Sequence, residues 1–164
     1  MKEQLTSIHA LAEALGHLLR DRSSFVSAAE SCTGGSLCAA ITDIPGCSAW
    51  FDRGFITYSN ESKETLLSVP NATLLTHGAV SEATARAMAE GALNRSKANV
   101  SVAITGVAGP GGGSVDTPVG TVWIACAGAN QQTIAKGYLF QGNRPAIRHQ
   151  AVFAALQHLM KRLA

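Results

Sequence analysis

No cluster of basic residues runs through this chain; Lys161-Arg162 near its end is the nearest approach to one. The 13 basic and 11 acidic side chains nearly cancel, to a net charge of +2. A dedicated nucleic-acid binder carries a strong basic stripe, so no nucleic-acid partner is expected. Apolar runs fall short of the roughly 20 residues that a membrane helix requires, so no membrane partner is expected. The opening segment MKEQLTSIHALAEALGHLL has charges scattered through it and does not read as a signal peptide. Cys32, Cys38, Cys47 and Cys126 form no CxxC pair. Together these features point to a cytoplasmic protein with reduced thiols. The pairs His9/His17 and His149/His158 are not spaced to stack two rings on one helix face, so no metal site is expected. Repeats, linkers and low-complexity tails are lacking, and 164 residues make one domain, 1–164. At 46% hydrophobic and 15% charged, a chain of this length buries a core without disulfides or metal.

What is present is an alternation of helical and strand patterns. Leu5, Ile8, Leu11, Leu15, Leu18 and Leu19 follow helical spacing. Phe25–Ala29 reads as a buried strand and Gly34–Asp43 as a helix. WFDRGFITYS alternates as a strand ending at Tyr58. Ser59 caps a short helix through Leu67, and NATLLTHGA reads as a loop. Ser81 caps a longer helix whose face of Val80, Ala83, Ala87, Met88 and Gly91 suits close packing on a sheet. NVSVAITG is a strand of β-branched residues. VGTVWIACAG and TIAKGYLFQG are two more, joined by a turn at Asn130-Gln131-Gln132. RPAIRHQAVFAALQHLMKRL closes the chain as a helix with Pro145 in its first turn. The pattern predicts a three-layer α/β/α sandwich with a mixed, mainly parallel sheet of about five strands.

Four stretches can carry chemistry. In AESCTGG, Ser31 and Cys32 stand at a strand-to-helix turn, the ligand side of α/β sheets. Gly34 and Gly35 allow close backbone approach, and the helix N-terminus offers N–H donors to an oxyanion or phosphate. Alone, the stretch reads equally as turn chemistry, with Ser31 or Thr33 as a helix cap. It is not the GxSxG elbow of the α/β-hydrolases. In TYSNESKETL, Lys63 falls in the first turn of a helix, where the dipole disfavours its charge. That suits a general base, although a solvated surface lysine fits as well. ITGVAGPGGGSVDTPVG is a glycine-rich loop after a strand, a connection or a ligand cradle. It lacks the GK[ST] ending of a P-loop, so a nucleotide triphosphatase is not expected. Thr105 points into the same region. In GNRPAIRHQ, Arg144 and Arg148 share one helix face at its N-terminus, where an anion between them would relieve their repulsion.

These blocks, with HGAVSE and PVGTVW, resemble the CinA C-terminal-domain family in order over nearly the whole chain. The stand-alone bacterial members of that family are nicotinamide mononucleotide deamidases. The resemblance implies an α/β/α sandwich with a mixed five-stranded sheet. It implies Ser31 as nucleophile and Lys63 as its general base, with Tyr58 and Thr105 as pocket groups near the reacting amide. The expected reaction turns nicotinamide mononucleotide and water into nicotinic acid mononucleotide and ammonia, without metal or organic cofactor. N–H groups around Thr33, Gly34 and Gly35 are expected to hold the oxyanion. Gly109, Gly111 and Gly112 are expected at the substrate, with Arg144 and Arg148 at its phosphate. A homo-oligomer is expected. One departure stands in the glycine-rich loop: Thr117 occupies a place where the family often has lysine. Two other readings stay open, a non-catalytic ligand-binding or interaction module and an amidase of the same mechanism on another substrate.

Overall fold

The computed structural model describes residues 7–164, so Leu5 of the expected opening helix lies outside the described residues. The elements follow the order α1 (Ile8–Asp21), β1 (Val26–Glu30), α2 (Ser36–Thr42), a 3₁₀ turn at Cys47–Ala49, and β2 (Phe51–Ile56). After these come α3 (Asn60–Leu67), α4 (Asn71–His77), α5 (Glu82–Asn94), β3 (Val100–Gly106), β4 (Thr121–Gly128), β5 (Gln131–Leu139) and α6 (Arg144–Leu163). The sheet order is β2-β1-β3-β4-β5. β1 pairs in parallel with β2 and β3, while β4 runs antiparallel to both β3 and β5. Four of the five strands therefore point the same way, as the alternation of helix and strand predicts.

Strand alternation builds two unlike faces. Val26, Ala28, Val100, Val102, Ile104, Val122 and Ile124 point to one core, completed by Leu11, Leu15 and Leu19 of α1 and by Ile147, Ala151 and Leu156 of α6. Ala29, Ala103, Ala125 and Ala127 point to the other, against Ala85, Met88, Ala89 and Ala92 of α5. This second face is almost all small residues, so α5 lies close to the sheet. The buried hydroxyls of Ser27 and Ser101 donate to the α5 carbonyls of Ala92 and Ala89, at 3.2 and 2.6 Å. Those hydroxyls are satisfied without water, as buried polar groups require.

Several expectations are corrected. NATLLTHGA is not a loop: residues 71–77 form α4, which packs on α5. Only Leu74 in it is buried, so no helical stripe marks it in the sequence. The α5 face is rotated from the expected one, with Ala85 and Ala89 inside and Ala83 and Ala87 half-buried. Alanines on both sides of this helix leave its phase undefined by composition. β2 ends at Ile56, two residues before Tyr58. The β4–β5 turn is Ala129-Asn130, with β5 already begun at Gln131. Asn130 takes a left-handed φ of 58°, a conformation that asparagine tolerates.

Gly91 shows how tightly the small-residue face is packed. A Cβ there would stand 2.0 Å from the Leu67 carbonyl oxygen at the end of α3. Gly91→Ala should therefore destabilise the fold, by about 1–3 kcal/mol of overpacking. Intrinsic helix propensity alone would favour alanine by about 1 kcal/mol. Urea unfolding decides the sign, and a more stable variant would refute the close α3–α5 contact.

Candidate active site

The carboxyl ends of β1, β2 and β3 carry the site. The Ser31 N–H donates to the Ile104 carbonyl at 3.0 Å and the Thr57 N–H to the Glu30 carbonyl at 2.8 Å. The two ladders thus extend to the residues that matter. Ser59 accepts from the Ser62 N–H, and Ser62 accepts in return from the Ser59 N–H, both at 3.1 Å. This reciprocal cap starts α3 just after β2 and turns Lys63 inward.

Lys63 is 1% exposed, so the reading of it as a solvated surface residue is excluded. Its Nζ donates to the Thr57 carbonyl at 2.7 Å and to the Ser31 hydroxyl at 3.1 Å. Among the described residues no carboxylate pairs with it. Burial lowers its pKa below the ordinary lysine value, and nearby Cys32 opposes that shift. The first cause is desolvation of the charged form. Burial also pushes the Cys32 thiol up to about 11, which keeps it protonated and a poor nucleophile beside Ser31.

A cleft of about 280 Å³ opens over this pair. Ser31, Cys32, Tyr58, Lys63, Thr105, Gly109, Gly111, Gly112 and Arg144 line it. Tyr58 stands at the rim, 62% exposed. Arg144 donates to the Gly109 carbonyl at 2.8 Å and to the Tyr58 hydroxyl at 3.1 Å, tying the glycine-rich loop to the β2 end. Thr105 does not leave its hydroxyl free in the cleft. It donates to the Ala79 carbonyl at 2.7 Å and holds the HGAVSE segment, whose Ala79 and Val80 form a wall that sequence reasoning missed.

Four expected residues lie elsewhere. Thr33, Gly34, Gly35 and Arg148 are not in the lining of this cleft. The Gly34 N–H donates to the Ser31 carbonyl and the Gly35 N–H to Glu30, so neither is open to an oxyanion. Arg148 donates to the carbonyls of Cys32 and Thr33 and to the Ser36 hydroxyl, not outward to a phosphate. Ser31 and Thr33 do not cap α2 either; the fully buried Glu30 carboxylate accepts the N–H groups there. Strand alternation could have revealed that role, because it places Glu30 on the helix-facing side with Val26 and Ala28. Thr117 bonds only Ser114 within the loop and is absent from the cleft lining. Among the described residues no three potential ligands gather for a metal, and no helix is long and apolar enough to cross a membrane.

A serine hydroxyl, a buried amine without a carboxylate partner among the described residues and a small cleft at the strand ends define the class: an α/β/α domain with a serine–lysine pair. The particular family is equally clear from comparison. The profile of the CinA C-terminal domain family matches residues 8–163, and the chain belongs to that family. It is 51% identical over 149 residues to the nicotinamide-nucleotide amidohydrolase PncC of Escherichia coli K12, covering 91% of this chain and 90% of that one. The PncC of Pseudomonas putida is 47% identical, covering 94% and 96%. A crystal structure of the competence/damage inducible protein CihA from Agrobacterium tumefaciens superposes with a TM-score of 0.93 at 44% identity, over 98% of both chains.

The displaced lysine pKa makes the fold pH-dependent. Between the lowered native pKa and the unfolded value, the unfolded chain binds more protons, so stability rises with pH through that window. Relative to Lys63→Met, wild type should gain stability as pH climbs toward the ordinary lysine range. Denaturant titrations of both proteins at a series of pH values test this. Parallel stability curves would mean that Lys63 is not shifted.

Proposed function

We propose that this protein hydrolyses the carboxamide of nicotinamide mononucleotide to nicotinic acid mononucleotide and ammonia, with Ser31 as nucleophile and Lys63 as base. The observation that carries the reading is the buried Lys63 Nζ at 3.1 Å from the Ser31 Oγ. The names of the PncC relatives supply the substrate.

A neutral amine in the Lys63 position spends one N–H on the Thr57 carbonyl and turns its lone pair to Ser31. Ser31 Oγ attacks the carboxamide carbon while Lys63 takes the hydroxyl proton. Lys63 then gives that proton to the departing amide nitrogen, which leaves as ammonia, and an acyl-enzyme remains. Water attacks the ester, Lys63 takes the water proton, and Ser31 recovers it as the acid is released. Since Gly34 and Gly35 are engaged, the oxyanion is assigned to backbone N–H groups of the lining residues, Gly111 and Gly112 first among them. Arg144, the one of the two expected arginines that lines the cleft, reads the phosphate with the donors left over from Gly109 and Tyr58. All of this is work for side chains and backbone of the single domain.

Activity should require the neutral form of Lys63, so turnover rises with pH through its native pKa. Ser31→Ala should lower ammonia release from the mononucleotide by roughly four to six orders of magnitude. Lys63→Arg, which keeps the charge but cannot act as a base near neutral pH, should lose nearly as much as Lys63→Ala. A Lys63→Arg enzyme with most of its turnover would make Lys63 a binding residue.

The phosphate assignment has its own test, a cycle of wild type and Arg144→Ala against the mononucleotide and nicotinamide riboside. A charge-assisted hydrogen bond contributes about 1.5–3 kcal/mol, or roughly ten- to a hundredfold in kcat/KM. That loss should appear with the mononucleotide and be nearly absent with the riboside. Equal losses would give Arg144 a structural role at Tyr58 and Gly109 alone.

A further inference from the structure

The turn that carries Ser31 is bonded on both kinds of backbone group. Glu30 Oε2 accepts from the N–H groups of Gly35 and Leu37, each at 3.1 Å, and Oε1 from that of Cys38 at 2.8 Å. Arg148 Nε donates to the Cys32 carbonyl at 3.2 Å, and its Nη2 donates to the Thr33 carbonyl and the Ser36 hydroxyl, both at 3.0 Å. One carboxylate side chain takes the N–H groups of residues 35, 37 and 38, and one guanidinium takes the carbonyls of residues 32 and 33. We propose that Glu30 and Arg148 are positioning residues that together hold the Ser31 turn, and so fix the Ser31 Oγ against Lys63. This rests on the reading of Ser31 as the nucleophile.

The turn needs such support. Gly34 and Gly35 have φ of +55° and +101°, so the chain reverses through conformations that supply no side-chain contact. The N-cap of α2 is Gly35, which offers no side-chain acceptor, and α2 is only seven residues long. Without outside partners the amides of residues 35, 37 and 38 would be unsatisfied at a helix end. Glu30 is fully buried and among the described residues pairs with no lysine or arginine, so its carboxylate is held by these N–H groups and the positive end of α2. Arg148 reaches the turn from α6, over a sequence separation of 116 residues. Its planar fork fits two acceptors at once, a geometry that lysine cannot copy.

A helix cap alone would account for stability. Placement predicts more, because the first carbonyl that Arg148 holds is that of Cys32, directly after Ser31, while Glu30 directly precedes it. The substrate cleft touches neither Glu30 nor Arg148. Loosening the turn should therefore misplace the attacking oxygen without changing what binds the substrate or what sets the charge of Lys63.

The experiment compares wild type with Glu30→Gln, Arg148→Lys and Ser36→Ala. It measures kcat, KM and the pH profile with nicotinamide mononucleotide, and the rate at which a small fluorophosphonate modifies Ser31, followed by intact mass. Because a misplacement of about 1 Å can cost a hundredfold, kcat should fall roughly ten- to a hundredfold in the first two variants and a few-fold in Ser36→Ala. KM should stay within about twofold. The modification rate should fall in parallel with kcat, and the pH midpoint should not move. A raised KM at constant kcat would make Arg148 a substrate contact and overturn the proposal. A lowered thermal midpoint with unchanged kcat would reduce both residues to caps. A moved pH midpoint would place Glu30 in the electrostatics of Lys63 instead. Ser36→Ala leaves no buried charge unpaired, so it decides the matter if the other two fail to fold; unchanged kcat and modification rate in it refute the clamp. Wild type that is modified at Ser31 but does not turn over the mononucleotide refutes the substrate reading, while the modification rates still test the clamp. Wild type that is not modified at all refutes the nucleophile itself.

Discussion

The buried amine of Lys63 is the constraint to which the carboxyl edge of the sheet is fitted. An ammonium group without a carboxylate partner is costly to bury. The fold accepts that cost beside Ser31, with the Thr57 carbonyl and the Ser31 hydroxyl as the partners of Nζ. Desolvation moves the group toward its neutral form, which is the form a base requires. An acidic neighbour would have stabilised the fold and raised the pKa out of use.

That placement depends on the unequal faces of the sheet. The bulky face under α1 and α6 supplies most of the apolar core. The alanine and serine face lets α5 settle close, and Gly91 then admits the end of α3 against it. α3 carries Lys63, so the thin second layer brings the amine to the end of β1. Glu30, pointing from β1 toward α2 on the opposite face, and Arg148 of α6 address the turn from there. Ser31 stands where the two layers meet, with Lys63 reaching it from one side and the contacts of Glu30 and Arg148 holding its turn from the other.

Much of this was legible in the chain because it depends on neighbours a few residues apart. Ser59 and Ser81 cap their helices as the sequence predicts, each bonding an N–H three residues on. β3 and α6 follow directly from a β-branched run and from a helical stretch with Pro145 in its first turn. The elements read less well are those whose composition is uniform, such as the alanine-rich α5 with no defined phase, or nearly unburied, such as α4 with Leu74 alone inside.

Sequence by itself determined the α/β alternation, the mixed and mainly parallel class of the sheet, and the residue types gathered near the glycine-rich loop. Tertiary structure alone decided what each of those residues does. Arg144 and Arg148 look equivalent at i, i+4, yet one lines the cleft and the other holds the turn, because α6 meets two different segments within one helical turn. Lys63 reads equally well in its own stretch as a base or as a surface lysine until burial beside Ser31, 32 positions away, removes it from water. Gly34 and Gly35 look open to a ligand until Glu30 and the Ser31 carbonyl occupy their N–H groups. Periodicity and caps are local interactions and so are written in local spacing. Burial, partnering and the resulting proton affinity are sums over contacts that exist only when distant segments meet.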